Sequence, residues 1–353
     1  MPMKLSFHVL RNYPSAPYIL RIVVAAAMFL LSSCGGGSNG DQPSLPETPT
    51  KGKVLLTQPL VEDIRNHAQS AYQQDIISSD NLDKAALRFY HLQPNIVWNQ
   101  VTSQPMGLLT AFFPDEISAR TQVSVDPASL EATGMQAAGN TVAFVNNAET
   151  TPSLDPLLSP MTYEYRWPIN AAPFPWRDAM SLQMAIELKV PTAEFASNVA
   201  GYVQTVALLR DVRSGKFVWH VQSAYDSRPS HTLSDFLVID GCSQCSGVPI
   251  IGALVNQESK YLSLCSSSAT LASKSFSEFK KYSFLVSDTQ FRLALQQLKR
   301  DFPVQMATHS LDPFDYQLFE VAVLNEIVRS APGRALLAST FRNLTVSSVL
   351  QCQ

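Results

Sequence analysis

Charge is scarce in this sequence: Lys, Arg, Asp and Glu make up 16% of its 353 residues, against 46% hydrophobic residues. A chain so composed can build a sizeable core and lacks the signature of disorder. Its formal net charge is −3, and a nucleic-acid partner, which calls for clustered Lys and Arg, is not expected. Long apolar runs are scarce near the start as well. Ile22 to Leu31 is ten residues, a helical rise of about 15 Å against a hydrocarbon core of ~30 Å, too short for a good permanent span. There is no H-E-x-x-H motif, and no histidine lies near the cysteines at zinc-ligand spacing. No metal or other cofactor is therefore expected.

What is present begins with an export signal. Lys4, Arg11 and Arg21 precede the apolar run without an acidic residue, and Ser32, Ser33 and Cys34 follow it. A positive start, a short apolar stretch and small residues before a cut site describe a secretory signal. Leu31-Ser32-Ser33-Cys34 resembles the lipobox of bacterial lipoproteins. That resemblance implies cleavage before Cys34, a lipid on its sulfur and a bilayer as the partner it inserts into. Gly35 stands where an aspartate would mean inner-membrane retention, so the family pattern implies the outer membrane. Losing three positive charges takes the formal net charge from −3 to −6. The expected division is a signal at 1–33, a Gly- and Pro-rich tether at 34–53 and one globular domain at 54–353.

Within that domain the clearest pattern is "MSLQMAIELKV", where Met180, Leu182, Met184, Ile186, Leu188 and Val190 alternate with polar or small residues before Pro191. A period of two predicts a half-buried strand that Pro191 ends. Tyr202 to Leu209, the turn "RDVRSGK" and "FVWHVQSAY" predict a hairpin, with Gly215 free to take a positive φ. Shorter strands are expected at Ala86–Leu92, Thr141–Val145, "TYEYRW", Phe236–Ile239, Pro249–Val255, Tyr261–Leu264, Tyr282–Val286 and "STFRNLTVSSV". Ser287 and Gln290 form a capping-box pair ahead of Phe291, Leu295, Leu298 and Phe302, which predicts a helix. Leu60–Tyr72 is a weaker helical pattern. "DPFDYQLFEVAVLNEIV" carries both a helix start at Asp312-Pro313 and an alternation, and we read it as strand. The fold class expected is all-β, a β-sandwich with one or two short helices, strongest over 160–350.

"MSLQMAIELKVP", the hairpin after it and "FRNLTV" resemble jelly-roll domains of the concanavalin-like lectin and glucanase type. The resemblance implies a carbohydrate ligand. The ladder of carboxylates that retaining glucanases of that type carry on one strand is absent, and so is the tyrosine and lysine motif of alginate lyases. If the strands are neighbours, Glu164, Arg166, Gln183, Glu187, His220 and Gln222 would share one sheet face suited to sugar hydroxyls. The same alternation also describes the solvated side of an amphipathic sheet. On this reading Phe217, Trp219 and Val221 fill the core opposite His220 and Gln222. Trp176, in the proline-rich "NAAPFPWRD", is a further ligand contact.

Besides Cys34, the chain has Cys242, Cys245, Cys265 and Cys352. An even number in an exported protein favours two disulfides, with Cys242–Cys245 plus Cys265–Cys352 preferred over the other two pairings. A hairpin turning near Asn256–Lys260 would set Cys265 opposite Ile251, away from Cys242 and Cys245. A redox Cys-x-x-Cys is disfavoured because Gly247, Pro249 and Gly252 would spoil the helix it needs. Three functions stay open: non-catalytic binding of carbohydrate or another envelope component, which is preferred; a polysaccharide lyase or glycoside hydrolase; and an assembly lipoprotein with a protein partner. Oligomeric state is not legible.

Overall fold

Apolar alternation becomes strand along nearly all of the described chain. A computed structural model describes residues 52–58, 68–69, 86–90, 100–102, 122–124, 134–138, 141–147, 161–169, 172–240, 247–329 and 333–353. Cys34, Cys242 and Cys245 lie outside these residues, as does all of Leu60–Tyr72 except Ala68 and Gln69, which form a short strand. Thr48–Gln353 forms one compact unit, and Met1–Glu47 falls in another, outside the described residues.

The strands are β1 (Lys53–Thr57), β2 (Ala68–Gln69), β3 (Ala86–Tyr90), β4 (Gln100–Thr102), β5 (Gln122–Ser124), β6 (Gly134–Ala138), β7 (Thr141–Asn147) and β8 (Met161–Pro168). Then come β9 (Ser181–Phe195), β10 (Val199–Asp211), β11 (Phe217–Asp226), β12 (Phe236–Ile239), β13 (Pro249–Leu254), β14 (Ser263–Leu264) and β15 (Phe276–Val286). Helix α1 (Asp288–Asp301), β16 (Tyr316–Arg329) and β17 (Ala335–Val349) complete the order. Among the described residues they make two sheets. Sheet A runs β14-β15-β9-β17-β7-β6-β5-β4, with β1 also paired to β17; sheet B runs β12-β13-β11-β10-β16-β8-β3-β2.

The sheets face each other across one core. Leu182, Met184, Ile186 and Leu188 of β9 with Phe284 and Phe341 supply one side, and Val203, Ala207, Leu209, Val218, Val321 and Val323 the other. Each of these side chains except Ala207 contributes roughly 1.5–3 kcal/mol of burial. The architecture is the expected all-β sandwich, with one α-helix among the described residues. In α1 the Ser287–Gln290 capping box is made, with Ser287 Oγ accepting from the Gln290 N–H. Phe291, Ala294, Leu295 and Leu298 are buried.

Two local expectations need correction. Pro191 does not end β9, which continues to Phe195. The register with β17 slips between Ala338 and Thr340, so the proline sits at a bulge, where its missing N–H costs the ladder little. The strand reading after Asp312 holds: Asp312 and Pro313 start only a short 3-10 turn, after which the alternation runs on as β16. No hairpin sets Cys265 opposite Ile251: β13 pairs in sheet B, while β14, just before Cys265, pairs with β15 in sheet A. Cys265 is joined to Cys352 all the same, Cα to Cα 5.5 Å, across a separation of 87 residues. Closing so long a loop restricts the unfolded chain and is worth about 2–4 kcal/mol.

Candidate functional site

β9, β15 and β17 stack polar residues on the outer face of sheet A in register. Lys281, Glu187 and Arg342 form one row, Ser283, Ala185 and Thr345 the next, and Leu285, Gln183 and Ser347 the third. Ala185 is the short side chain at the centre of longer ones. The result is a depression of about 290 Å³, walled by Gln183, Glu187, Lys281, Asn343, Thr345 and Gln353 among others.

The walls are held by their own hydrogen bonds. β17 bulges between Arg342 and Thr345, and Asn343 takes a left-handed φ of 55°, which asparagine tolerates better than most residues. The bulge lets Asn343 Nδ2 donate to Glu187 Oε1 at 3.1 Å while Arg342 Nε donates to Glu187 Oε2 at 2.7 Å. Burial alone would raise the Glu187 pKa. The bonds from Arg342 and Asn343, and the charges of Arg342 and Lys281, overcome it and hold Glu187 below the usual carboxylate range. The Arg342 guanidinium also lies 4.0 Å from the centre of the Phe279 ring, which has Lys189 Nζ at 5.5 Å. At the other end Gln183 Nε2 donates to Ser283 Oγ (3.1 Å) and to the Gln353 carbonyl (3.2 Å), and its Oε1 accepts from the Gln353 N–H (3.2 Å). The Cys265–Cys352 disulfide thus fixes the residue before a wall of the groove.

Only two residues of the expected ligand face meet here, Gln183 and Glu187. Glu164 and Arg166 belong to β8 in sheet B, opposite Leu324 and Ala322 of β16, so the set is split between two sheets. His220 and Gln222 do share a side of β11, but it is the inner one, and both are wholly buried. Their polarity is consumed internally. Gln222 Nε2 lies 2.7 Å from His220 Nδ1, Gln222 Oε1 accepts from Thr205 Oγ1 at 2.7 Å, and His220 Nε2 meets the Tyr261 carbonyl at 3.2 Å. Burial pushes the His220 pKa down to about 4, so the ring is neutral. Trp219 points the opposite way and is half-buried on the outer face of sheet B with Val206, Val221, Ile250, Ala322 and Leu324. Trp176 is no ligand contact either. It is fully buried, stacks on Phe291 at 4.4 Å and donates Nε1–H to the Val286 carbonyl at 2.8 Å.

Sequence reasoning missed a second polar cluster, on sheet B. Glu326 of β16, Tyr202 of β10 and Asp226 of β11 are register partners in one row. Arg228 caps the row, with Nη2 2.7 Å from Asp226 Oδ2 and its guanidinium 5.1 Å from the Tyr202 ring centre. Burial, with the charge of Asp240 behind it, raises Glu326 to about 7. Asp240 follows β12, and β13, β11 and β10 stand between β12 and β16 in the sheet. The signal in sequence was slight: Glu326 is one of two glutamates in a mostly apolar strand, and nothing local sets it apart from Glu320.

No family model and no curated protein matches this chain. Among solved structures it is similar to the xyloglucanase domain of NopAA, a type three effector from Sinorhizobium fredii in complex with cellobiose, at 13% identity and a TM-score of 0.31, over 66% of this chain and 90% of that one. A family 12 xyloglucanase from Bacillus licheniformis gives 9% identity and 0.31 over 72% and 91%. The family 11 xylanase from Neocallimastix patriciarum gives 8% and 0.29 over 62% and 96%. At these scores the likeness bears on neither activity nor ligand.

Proposed function

We propose that this chain is an exported lipoprotein, held at the outer membrane by lipid on Cys34, whose β-sandwich binds carbohydrate without transforming it. The anchor rests on the order of charge, apolar run, small residues and cysteine in residues 4–34. Binding rests on the groove of sheet A. Amide, hydroxyl and carboxylate groups line a depression whose walls are already bonded to one another, so little ordering is lost when a hydroxyl-rich ligand enters. Two variants test the two halves. Cys34→Ser should abolish labelling by a radioactive fatty acid, and label retained by it would sink the anchor. Thr345→Trp should fill the groove and remove binding on a glycan array while leaving the thermal melt within a few degrees; unchanged binding would exclude the groove.

One observation favours a second reading, a polysaccharide-degrading enzyme. A carboxyl that burial raises to about 7, in one row with Tyr202 and Asp226, has the protonation that a general acid for cleavage of a glycosidic bond requires. Release of reducing ends from soluble polysaccharide, abolished in Glu326→Gln, would establish it in place of the binding role.

A further inference from the structure

The groove of sheet A brings a lysine and an arginine beside its one acidic side chain. Lys281 lines it, Arg342 stands in the same row, and Glu187 is the carboxylate side chain between them. Glu187 is already matched by the Arg342 guanidinium at 2.7 Å and the Asn343 amide at 3.1 Å. Lys281 is different. It is exposed, lines the groove and, among the described residues, forms no ion pair. It is the register partner of Glu187, so its ammonium stands at the end of a row whose acid is engaged on the far side by Arg342. The Arg342 guanidinium lies over Phe279, its carbon 4.0 Å from the ring centre. A neutral sugar would use the amides and hydroxyls and leave Lys281 idle. A sugar bearing a carboxylate would use both.

Building on the carbohydrate reading above, we propose that the ligand of this groove is an acidic saccharide, a chain of uronate residues. Its carboxylate sits between Lys281 and the Arg342–Glu187 pair, and its hydroxyls meet Gln183, Asn343 and Thr345. An arrangement of this kind makes affinity depend on ionic strength, because the exposed lysine is screened by salt while the amides are not.

Isothermal titration of the full chain in non-ionic detergent tests this with three soluble probes: an oligogalacturonate hexamer, a neutral cello-oligosaccharide of the same length, and glycerophosphoglycerol as an anionic lipid headgroup. The expected result is that the uronate binds at least tenfold more tightly than the neutral chain and weakens severalfold when salt is raised to 0.5 M. Lys281→Glu should lose that preference and Lys281→Arg should keep it, both with unchanged melts. Equal affinity for uronate and neutral chain, indifferent to Lys281→Glu, would overturn the acidic ligand and leave the carbohydrate reading standing. Binding of glycerophosphoglycerol in place of either sugar would overturn the saccharide. Failure of all three probes would overturn both.

Discussion

Glu187 and His220 sit in the same kind of pattern, polar residues alternating with apolar ones along a strand, and the two sheets treat them in opposite ways. In β9 the polar side faces outward, and Glu187 keeps part of its surface in water beside Arg342 and Asn343. In β11 the polar side faces inward, and His220 and Gln222 are sealed among Thr205, Tyr261 and the core. The difference lies in the partners each strand offers. β11 has Val218 and Ala224 on the side of His220 and Phe217, Trp219 and Val221 on the other, so neither side is plainly polar. A closed set of hydrogen bonds lowers the cost of burying the imidazole and amide, while the outer sheet-B residues Val206, Ala322 and Leu324 give Trp219 apolar cover.

The largest expected effect follows from that closure. His220→Ala should destabilise the domain by about 3 kcal/mol, since it leaves a cavity and takes one partner from Gln222 and one from the Tyr261 carbonyl. Trp219→Ala, which strips a half-buried ring from a surface strip, should cost about 1–2 kcal/mol. Urea denaturation of the two variants checks the order. If Trp219→Ala is the more damaging, then His220 is not the better-sealed group and the inner network contributes little.

That order was not legible in the sequence, whereas much of the rest was. β9 could be read because every inward residue from Leu182 to Val190 is large and apolar and the outward set is not. The capping box of α1 could be read because its signal is local: Ser287 and Gln290 need only each other. The Cys265–Cys352 pair emerged even though the hairpin offered for it does not exist. What escaped reading depended on which strands are neighbours. Glu164 and Gln183 alternate alike but occupy different sheets, and Trp176 in its proline-rich loop is drawn under α1 by Phe291. Glu326 owes its raised pKa first to burial and then to the charge of Asp240, 86 positions earlier in the chain, and no local pattern encodes either.

A smaller effect sharpens the contrast between buried groups of the two acid–base types. His220 titrates near 4 in the folded protein and near 6.5 when unfolded, so below pH 6.5 the unfolded chain binds a proton the folded chain refuses. Its contribution to stability therefore falls as pH drops from 6.5 to 4, by on the order of 3 kcal/mol. Glu326 works the other way. Raised to about 7 from an ordinary value of 4.5, it holds a proton that the unfolded chain has lost, so its contribution falls as pH rises through that window. The two slopes oppose each other between pH 4.5 and 6.5, and Glu326→Gln should unmask the first: its melting temperature should climb from pH 4.5 to 6.5 more steeply than that of the wild type. Parallel profiles for the two proteins would mean that Glu326 titrates normally.

The smallest effect on stability is expected at Glu187, and it tests whether the outward alternation serves a ligand at all. The Glu187–Arg342 pair is partly solvated, with side chains 29% and 38% exposed, and pairs of that kind rarely contribute more than about 1 kcal/mol. Glu187→Gln keeps an acceptor for Asn343 or Arg342 and should shift stability by no more than ~0.5 kcal/mol. Its effect on binding should depend on the ligand. A uronate carboxylate competes with Glu187 for the Arg342 guanidinium, so removing the Glu187 charge should tighten oligogalacturonate severalfold. A neutral oligosaccharide, which only loses a charged acceptor for its hydroxyls, should weaken or stay level. If Glu187→Gln instead destabilises as much as His220→Ala, the row Lys281–Glu187–Arg342 is a brace for β9, β15 and β17. The outer face would then owe its polarity to holding the sheet together, as the inner network of β11 does, and the site would have to be sought at Glu326.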